Sequence, residues 1–195
     1  MIQKSTKGFT LIELLVVIAI LAVLATAVVL VLNPAELIRQ GRDSTRLSDL
    51  DSLNTALALY LTDVDPSVSS LGACSAARCT ANAGAASPFK ATGSNATCPN
   101  PANTGIAVDA TGWVDVNIGA ISGGSPLSRL PLDPVNNATY YYAYACDNTN
   151  DWYEMNANLE SKKYASGGGA TDQEGTDGGD NPNAYEVGND PGLDL

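Results

Sequence analysis

The chain has 195 residues, with 10 Lys and Arg against 21 Asp and Glu, no histidine, and a formal net charge of -11. That length suits one domain of ordinary size plus an anchor, since single cores grow to roughly 100 to 200 residues. The acidic balance repels nucleic-acid phosphates and argues against general nucleic-acid binding. The missing histidine removes Ser-His-Asp and Cys-His nucleophiles and His-ligated zinc or haem, so no enzyme is expected.

Residues 1–8, MIQKSTKG, hold two lysines and no acid, and an apolar run of 24 residues follows from Phe9 to Leu32. At about 1.5 Å per helical residue this run can cross a hydrocarbon layer of roughly 30 Å. It is longer than the apolar region of a secretory signal peptide, about 7 to 15 residues. The basic flank predicts that residues 1–8 start in the cytoplasm. A plain membrane anchor does not explain Glu13, the one ionisable residue inside the run. A carboxylate at that depth costs about 2.5 to 3.5 kcal/mol and is retained for a partner or a function.

The stretch Lys7-Gly8-Phe9-Thr10-Leu11-Ile12-Glu13, followed by LLVVIAILAVLA, resembles the type III signal of prepilins, the precursors of type IV pilins and of type II secretion pseudopilins. The resemblance implies that a membrane-embedded prepilin peptidase cuts between Gly8 and Phe9 and that Phe9 becomes the N-methylated first residue. Glu13, then fifth in the chain, is expected to meet the N-terminal amine of a neighbouring subunit. Pairing across subunits would offset the desolvation of both charges. The implied fold is α+β, a long N-terminal helix packed on an antiparallel β-sheet head. The implied function is a structural subunit polymerising through that helix into a type IV pilus-like filament. A major pseudopilin, or a minor pilin that binds DNA or a surface, are the alternatives. The implied partners are copies of the chain itself, the peptidase and the pilus or secretion assembly machinery. The subunit would cross the cytoplasmic membrane once before assembly and stand in an extracellular filament afterwards.

Four segments are expected: a cleaved leader (1–8), a membrane and filament-core helix (9–32), its amphipathic continuation (33–64) and an extracellular head (65–195). At the second boundary Asn33 reads as an N-cap, Pro34 as a first helical residue and Glu36 as a capping-box acid. A proline kink at Pro34 in one continuous helix is the competing reading; either gives a flexible joint. From about 34 to 62, Leu47, Leu50, Leu53, Leu57, Leu61 and Val64 recur at intervals of three or four and make one face to pack on a sheet. Arg39, Arg42 and Arg46, mixed with Glu36, Asp43, Asp49 and Asp51, read as a solvated face. Asp65-Pro66 ends the helix.

Residues 65–105, rich in Ala, Ser, Gly, Asn and Pro, read as a long surface loop pinned by disulfides. The four cysteines, Cys74, Cys79, Cys98 and Cys146, all follow the apolar segment and suggest two disulfides rather than zinc. Three pairings are open, with Cys74–Cys79 and Cys98–Cys146 preferred. Asn95-Ala96-Thr97 and Asn137-Ala138-Thr139 match the N-glycosylation pattern. Strands are expected at 112–118, 139–146 and 152–157 as an antiparallel meander, with Tyr140, Tyr142 and Tyr144 on one face for packing. The stretch from Ala165 to Leu195, with eight glycines, seven acids and no basic residue, reads as a flexible or ligand-ordered tail. Its carboxylates, Asp172, Asp177 and Asp180 foremost, offer hard oxygens for calcium. The resemblance adds weight to calcium, because major pseudopilins carry it in an acidic C-terminal loop; no other cofactor is expected.

Overall fold

The computed structural model describes residues 8–65, 70–81, 98 and 103–195. The chain divides into two compact units, Met1–Ile38 and Arg39–Leu195. In the first, α1 (Leu11–Leu32) is apolar on every side and ends at Asn33, whose φ of 41° and ψ of 72° lie in the left-handed region. Asparagine tolerates that region better than most residues. Pro34 then opens α2 (Pro34–Asp63), at the position where a missing N–H breaks no helical bond. The Asn33 carbonyl accepts the Glu36 N–H at 2.9 Å, so the two helices are separated by a one-residue break.

In the second unit, α2 packs on a four-stranded antiparallel sheet made of β1 (Arg78–Cys79), β2 (Tyr142–Asp147), β3 (Trp152–Ala157) and β4 (Tyr185–Gly188), in that order. Along α2 the buried positions are Asp43, Arg46, Leu50, Leu53, Ala56, Leu57 and Tyr60, a helical stripe. Across from it, Tyr142, Tyr144 and Cys146 of β2 and Tyr153, Met155 and Ala157 of β3 complete the main core with Trp113. The intervening residues Ala143 and Ala145, with Tyr141 just before β2, face a second, smaller cluster, as the two-residue period of a strand requires.

This alternation corrects the expected disulfide pairing. The bonds are Cys74–Cys146 and Cys79–Cys98. Cys79 sits opposite Ala143 in the β1–β2 register and therefore shares the outer face with it. Cys146 is three residues beyond Ala143, an odd separation, so it points to the main core, where Cys74 also packs. The sheet stands between Cys74 and Cys79, and their closeness in sequence does not bring their sulfurs together.

Two further expectations are corrected. Residues 112–118 form no strand; they make one isolated bridge, Asp109 to Asn117, and a short 3-10 turn over Ile118–Ala120. Trp113 and Val114 are both fully buried, which strict alternation against a single core forbids. Gly112 permits this compact path, because a Cβ there would lie 2.2 Å from the Ala107 carbonyl. The C-terminal stretch is folded, not flexible: β4 pairs with β3 from Glu154–Gly188 to Ala157–Tyr185. Its irregular parts are held by carboxylates that accept backbone N–H groups. Glu174 binds Leu159 and Ser166, each at 2.7 Å, and Asp172 binds Gly167 and Gly175, each at 2.8 Å.

The expected solvated charge face is also corrected, because Arg46 and Asp43 are fully buried. Arg46 makes a two-pronged contact with Asp133 (Nε 2.5 Å, Nη2 3.0 Å) and also reaches Asp43 at 2.8 Å and Glu160 at 2.7 Å. Its guanidinium lies 5.0 Å from the centre of the Tyr140 ring. Asp43 in turn accepts the backbone N–H groups of Glu160 and Ser161, and Arg42 pairs with Glu160 at the edge of the cluster. Burial opposes the Arg46 charge, but hydrogen bonds to Asp133, Glu160 and Asp43 outweigh it and hold the group more firmly charged than usual.

Two measurements check these assignments. Non-reducing peptide mapping should recover Cys74 linked to Cys146 and Cys79 linked to Cys98. With sequence separations of 72 and 19 residues, loss of the first bond should destabilise by about 4 kcal/mol and loss of the second by about 3 kcal/mol in denaturant titrations. Replacing Arg46 by Ala should cost about 3 to 5 kcal/mol, because it leaves buried carboxylates without their counter-charge.

Candidate assembly site

In α1, 22 residues at about 1.5 Å each give a helix about 33 Å long, long and apolar enough to cross a membrane. Its two polar side chains are satisfied within the helix. Thr26 donates to the Ala22 carbonyl at 2.9 Å. Glu13 forms a capping box with Thr10, in which the Thr10 N–H and hydroxyl each donate to Glu13 Oε2 at 2.8 Å and the Glu13 N–H donates to the Thr10 hydroxyl at 3.3 Å. The carboxylate thus sits at the N-terminal end of α1, where helix dipole and free N–H groups favour negative charge. Both bonds fall on one oxygen, and among the described residues Oε1 keeps acceptor capacity.

Phe9 precedes this cap and is 90% exposed. At Gly8 a Cβ would meet nothing among the described residues within 4 Å, and no left-handed backbone is involved. The fold of the chain therefore gives no reason for glycine at position 8. Leu11, Ile12, Leu14, Ile18 and Leu21 are likewise exposed, along with nearly every other apolar residue of α1. An apolar helix of this length needs lipid or other helices around it.

An apolar N-terminal helix of this length fits a membrane-anchored precursor. Residues 3–29 match the prokaryotic N-terminal methylation motif, so the chain carries the prepilin signature of type IV pilins and pseudopilins. No curated protein matched the chain, and no solved structure matched it.

The other residues singled out by sequence fall as follows. Tyr142 and Tyr144 are buried in the core, donating to Asp49 and to the Leu71 carbonyl, each at 2.8 Å; Tyr140 stacks on Arg46. Asn137 is exposed in a turn where its Oδ1 accepts the Thr139 and Tyr140 N–H groups; Asn95 lies outside the described residues. Asp172 and Asp177 bind backbone amides, Asp177 taking those of Gly179 at 3.0 Å and Glu186 at 2.7 Å. Among the described residues no three acidic or cysteine side chains form a metal-holding group.

Sequence reasoning missed a different acidic pair. Glu154 on β3 and Glu186 on β4 are 1% and 2% exposed. Burial, the largest cause for each, pushes their carboxyls up to about 7 and about 8. Glu154 and Asn156 alternate with Tyr153, Met155 and Ala157, so the two-residue period of the strand reads them as solvent-facing and gives no signal of their burial.

Proposed function

We propose that this chain is a structural subunit that polymerises through α1 into an extracellular filament of the type IV pilus or pseudopilus class. The observation that carries the reading is the pairing of a wholly exposed apolar helix with one carboxylate near its N-terminal end, inside the matched signal. A prepilin peptidase removes residues 1–8. The new amine at Phe9 then lies four residues from Glu13, and the carboxylate of one subunit receives the amine of the next as the helices bundle. Each charge alone is costly in an apolar bundle; together they offset one another and fix the axial register between subunits. Gly8, which the fold does not require, serves the peptidase. Removing the leader also removes Lys4 and Lys7, leaving the mature chain more acidic.

Mass spectrometry of sheared filaments should find subunits that begin at N-methylated Phe9; an intact Met1 start would remove the processing step. The assembly role is tested separately by Glu13→Leu. That variant should insert at least as readily, since a penalty of about 2.5 to 3.5 kcal/mol disappears, and should still be cleaved. Filaments should nevertheless be lost, because the incoming amine is left unpaired at a cost of about 3 to 5 kcal/mol. Processed subunits accumulating in the membrane with no surface filaments is the expected result. Normal filament yield in a strain lacking the wild-type subunit would refute the pairing.

A further inference from the structure

A groove of about 690 Å³ lies in the head between α2 and the segment 126–134. Its α2 wall is formed by Thr45, Asp49 and Ser52, which stand one helical turn apart and so share a face. The hydroxyl protons on this wall are already committed: Thr45 Oγ1 donates to the Gly41 carbonyl at 3.2 Å and Ser52 Oγ to the Ser48 carbonyl at 2.7 Å. Asp49 Oδ2 accepts the Tyr142 hydroxyl at 2.8 Å, and Asp49 Oδ1 has no partner among the described residues. What the wall still offers is acceptors alone, two hydroxyl oxygens and one carboxylate oxygen.

No cation of the head answers them. Arg46, one turn before Asp49, is taken up by Asp133, Asp43 and Glu160. Burial pushes the Asp49 carboxyl above the ordinary aspartate range, the Tyr142 hydrogen bond opposes this, and the charge that acts with burial is Asp133, another acid. The opposite wall is apolar and fixed. Ile106, Leu127 and Leu132 line it, and Pro126, Pro131 and Pro134 restrict its backbone. It is pinned from behind, since the Leu130 N–H donates to the Ile106 carbonyl and Trp113 Nε1 to the Pro131 carbonyl, each at 2.8 Å. Arg129 stands exposed on the rim and makes no hydrogen bond among the described residues.

Each feature selects one part of a ligand. Three acceptors without a donor suit an ammonium, which carries three donors and no acceptor. The apolar wall suits a methylene stem that keeps its charged head on the polar side. The guanidinium on the rim repels a second cation and offers donors to a carbonyl beside the first. We propose that the groove is a binding site for one lysine side chain presented by an extended peptide segment of a partner protein. Asp49, Thr45 and Ser52 hold the ammonium, Leu127 and Leu132 cover the stem, and Arg129 takes a backbone carbonyl of the peptide. Tyr142 is a positioning residue, since its hydroxyl fixes Asp49 Oδ2 and leaves Oδ1 to the ligand. The volume exceeds that of one side chain and leaves room for the flanking peptide. Walls held in place by the fold also limit the ordering that binding requires.

The test is a titration of the isotope-labelled full chain in nonionic detergent with acetyl-Ala-Lys-Ala-amide, read from backbone amide shifts. Saturable shifts should appear at Thr45, Asp49, Ser52, Ser128 and Arg129. Asp49→Asn keeps an acceptor for Tyr142 and removes only the charge, so it should weaken binding by about tenfold or more. Asp51→Asn removes the same charge from an exposed position of α2 outside the groove and should bind as the wild type does. Two comparisons on the unmodified chain need no variant to fold: the peptide with norleucine in place of lysine should give no shift, and spermidine should bind more weakly than the lysine peptide. The absence of saturable shifts, or equal affinity in the wild type and Asp49→Asn, would overturn the proposal. So would an equal loss in Asp51→Asn, which would reduce binding to general attraction by an acidic chain. Equal shifts from the norleucine peptide would remove the ammonium from the account, and tighter binding of spermidine would replace the peptide with a free polyamine; either result would also overturn it.

Discussion

Arg46 is fully buried where α2 meets the turn around Asp133 and the backbone at Glu160, and the arrangement of the head follows from what that charge needs. A lone guanidinium in an apolar interior is prohibitive. Here its planar fork meets Asp133 on Nε and Nη2, reaches Asp43 with Nη1 and meets Glu160 with Nη2 as well, a geometry lysine does not offer. Asp133 also accepts the Val135 and Asn136 N–H groups, which shapes the turn leading into β2. Asp43 likewise orders the backbone that leaves β3. One side chain on α2 thus fixes both the entry to the central hairpin and its exit.

From that anchor the sheet register distributes everything else. The odd and even residues of β2 serve two different clusters, so each cysteine is assigned to a face before any disulfide closes. Where regular structure gives out, carboxylates take over as acceptors. The glycine-rich C-terminal stretch has few ladder partners, and its amides are held by Glu174, Asp172, Asp177 and Glu186. The acidity of this region therefore has a structural use, and its cost is a set of like charges gathered against β3.

The helices, the β2 and β3 strands and the signal at residues 3–29 were legible because each is written in a contiguous stretch with its own period. Leu50, Leu53 and Leu57 announced the buried face of α2, and that same phase runs back through Arg46 and Asp43. Charge hid the continuation, since a buried ion is recognised only when its partner is known, and Asp133 and Glu160 are 87 and 117 residues from Arg46 and Asp43 respectively. The same distance conceals β1 and β4, short strands that exist only as edges of a hairpin elsewhere in the chain. Residues 112–118 looked like a strand because apolar and polar residues alternate there in part, but Trp113 and Val114 are both drawn inside. The disulfides were misread because nearness in sequence was weighed and the sheet between the thiols was not visible. The matched signal is local in the same way: Gly8, Phe9, Thr10 and Glu13 are consecutive or one helical turn apart.

The two units meet different demands. The head is ordered by its own polar network and disulfides, whereas α1 presents an apolar surface that nothing within its unit covers. A helix of that kind is stable in lipid or among other apolar helices, and Glu13 is the one ionisable group on it. The most direct measurement is a reconstruction of purified filaments at a resolution that shows side chains. The account predicts α1 helices bundled at the axis, with each Glu13 carboxylate at hydrogen-bonding distance from the Phe9 amine of an adjacent subunit. Filaments built through head contacts, with Glu13 facing solvent or bound only to its own Thr10, would contradict it.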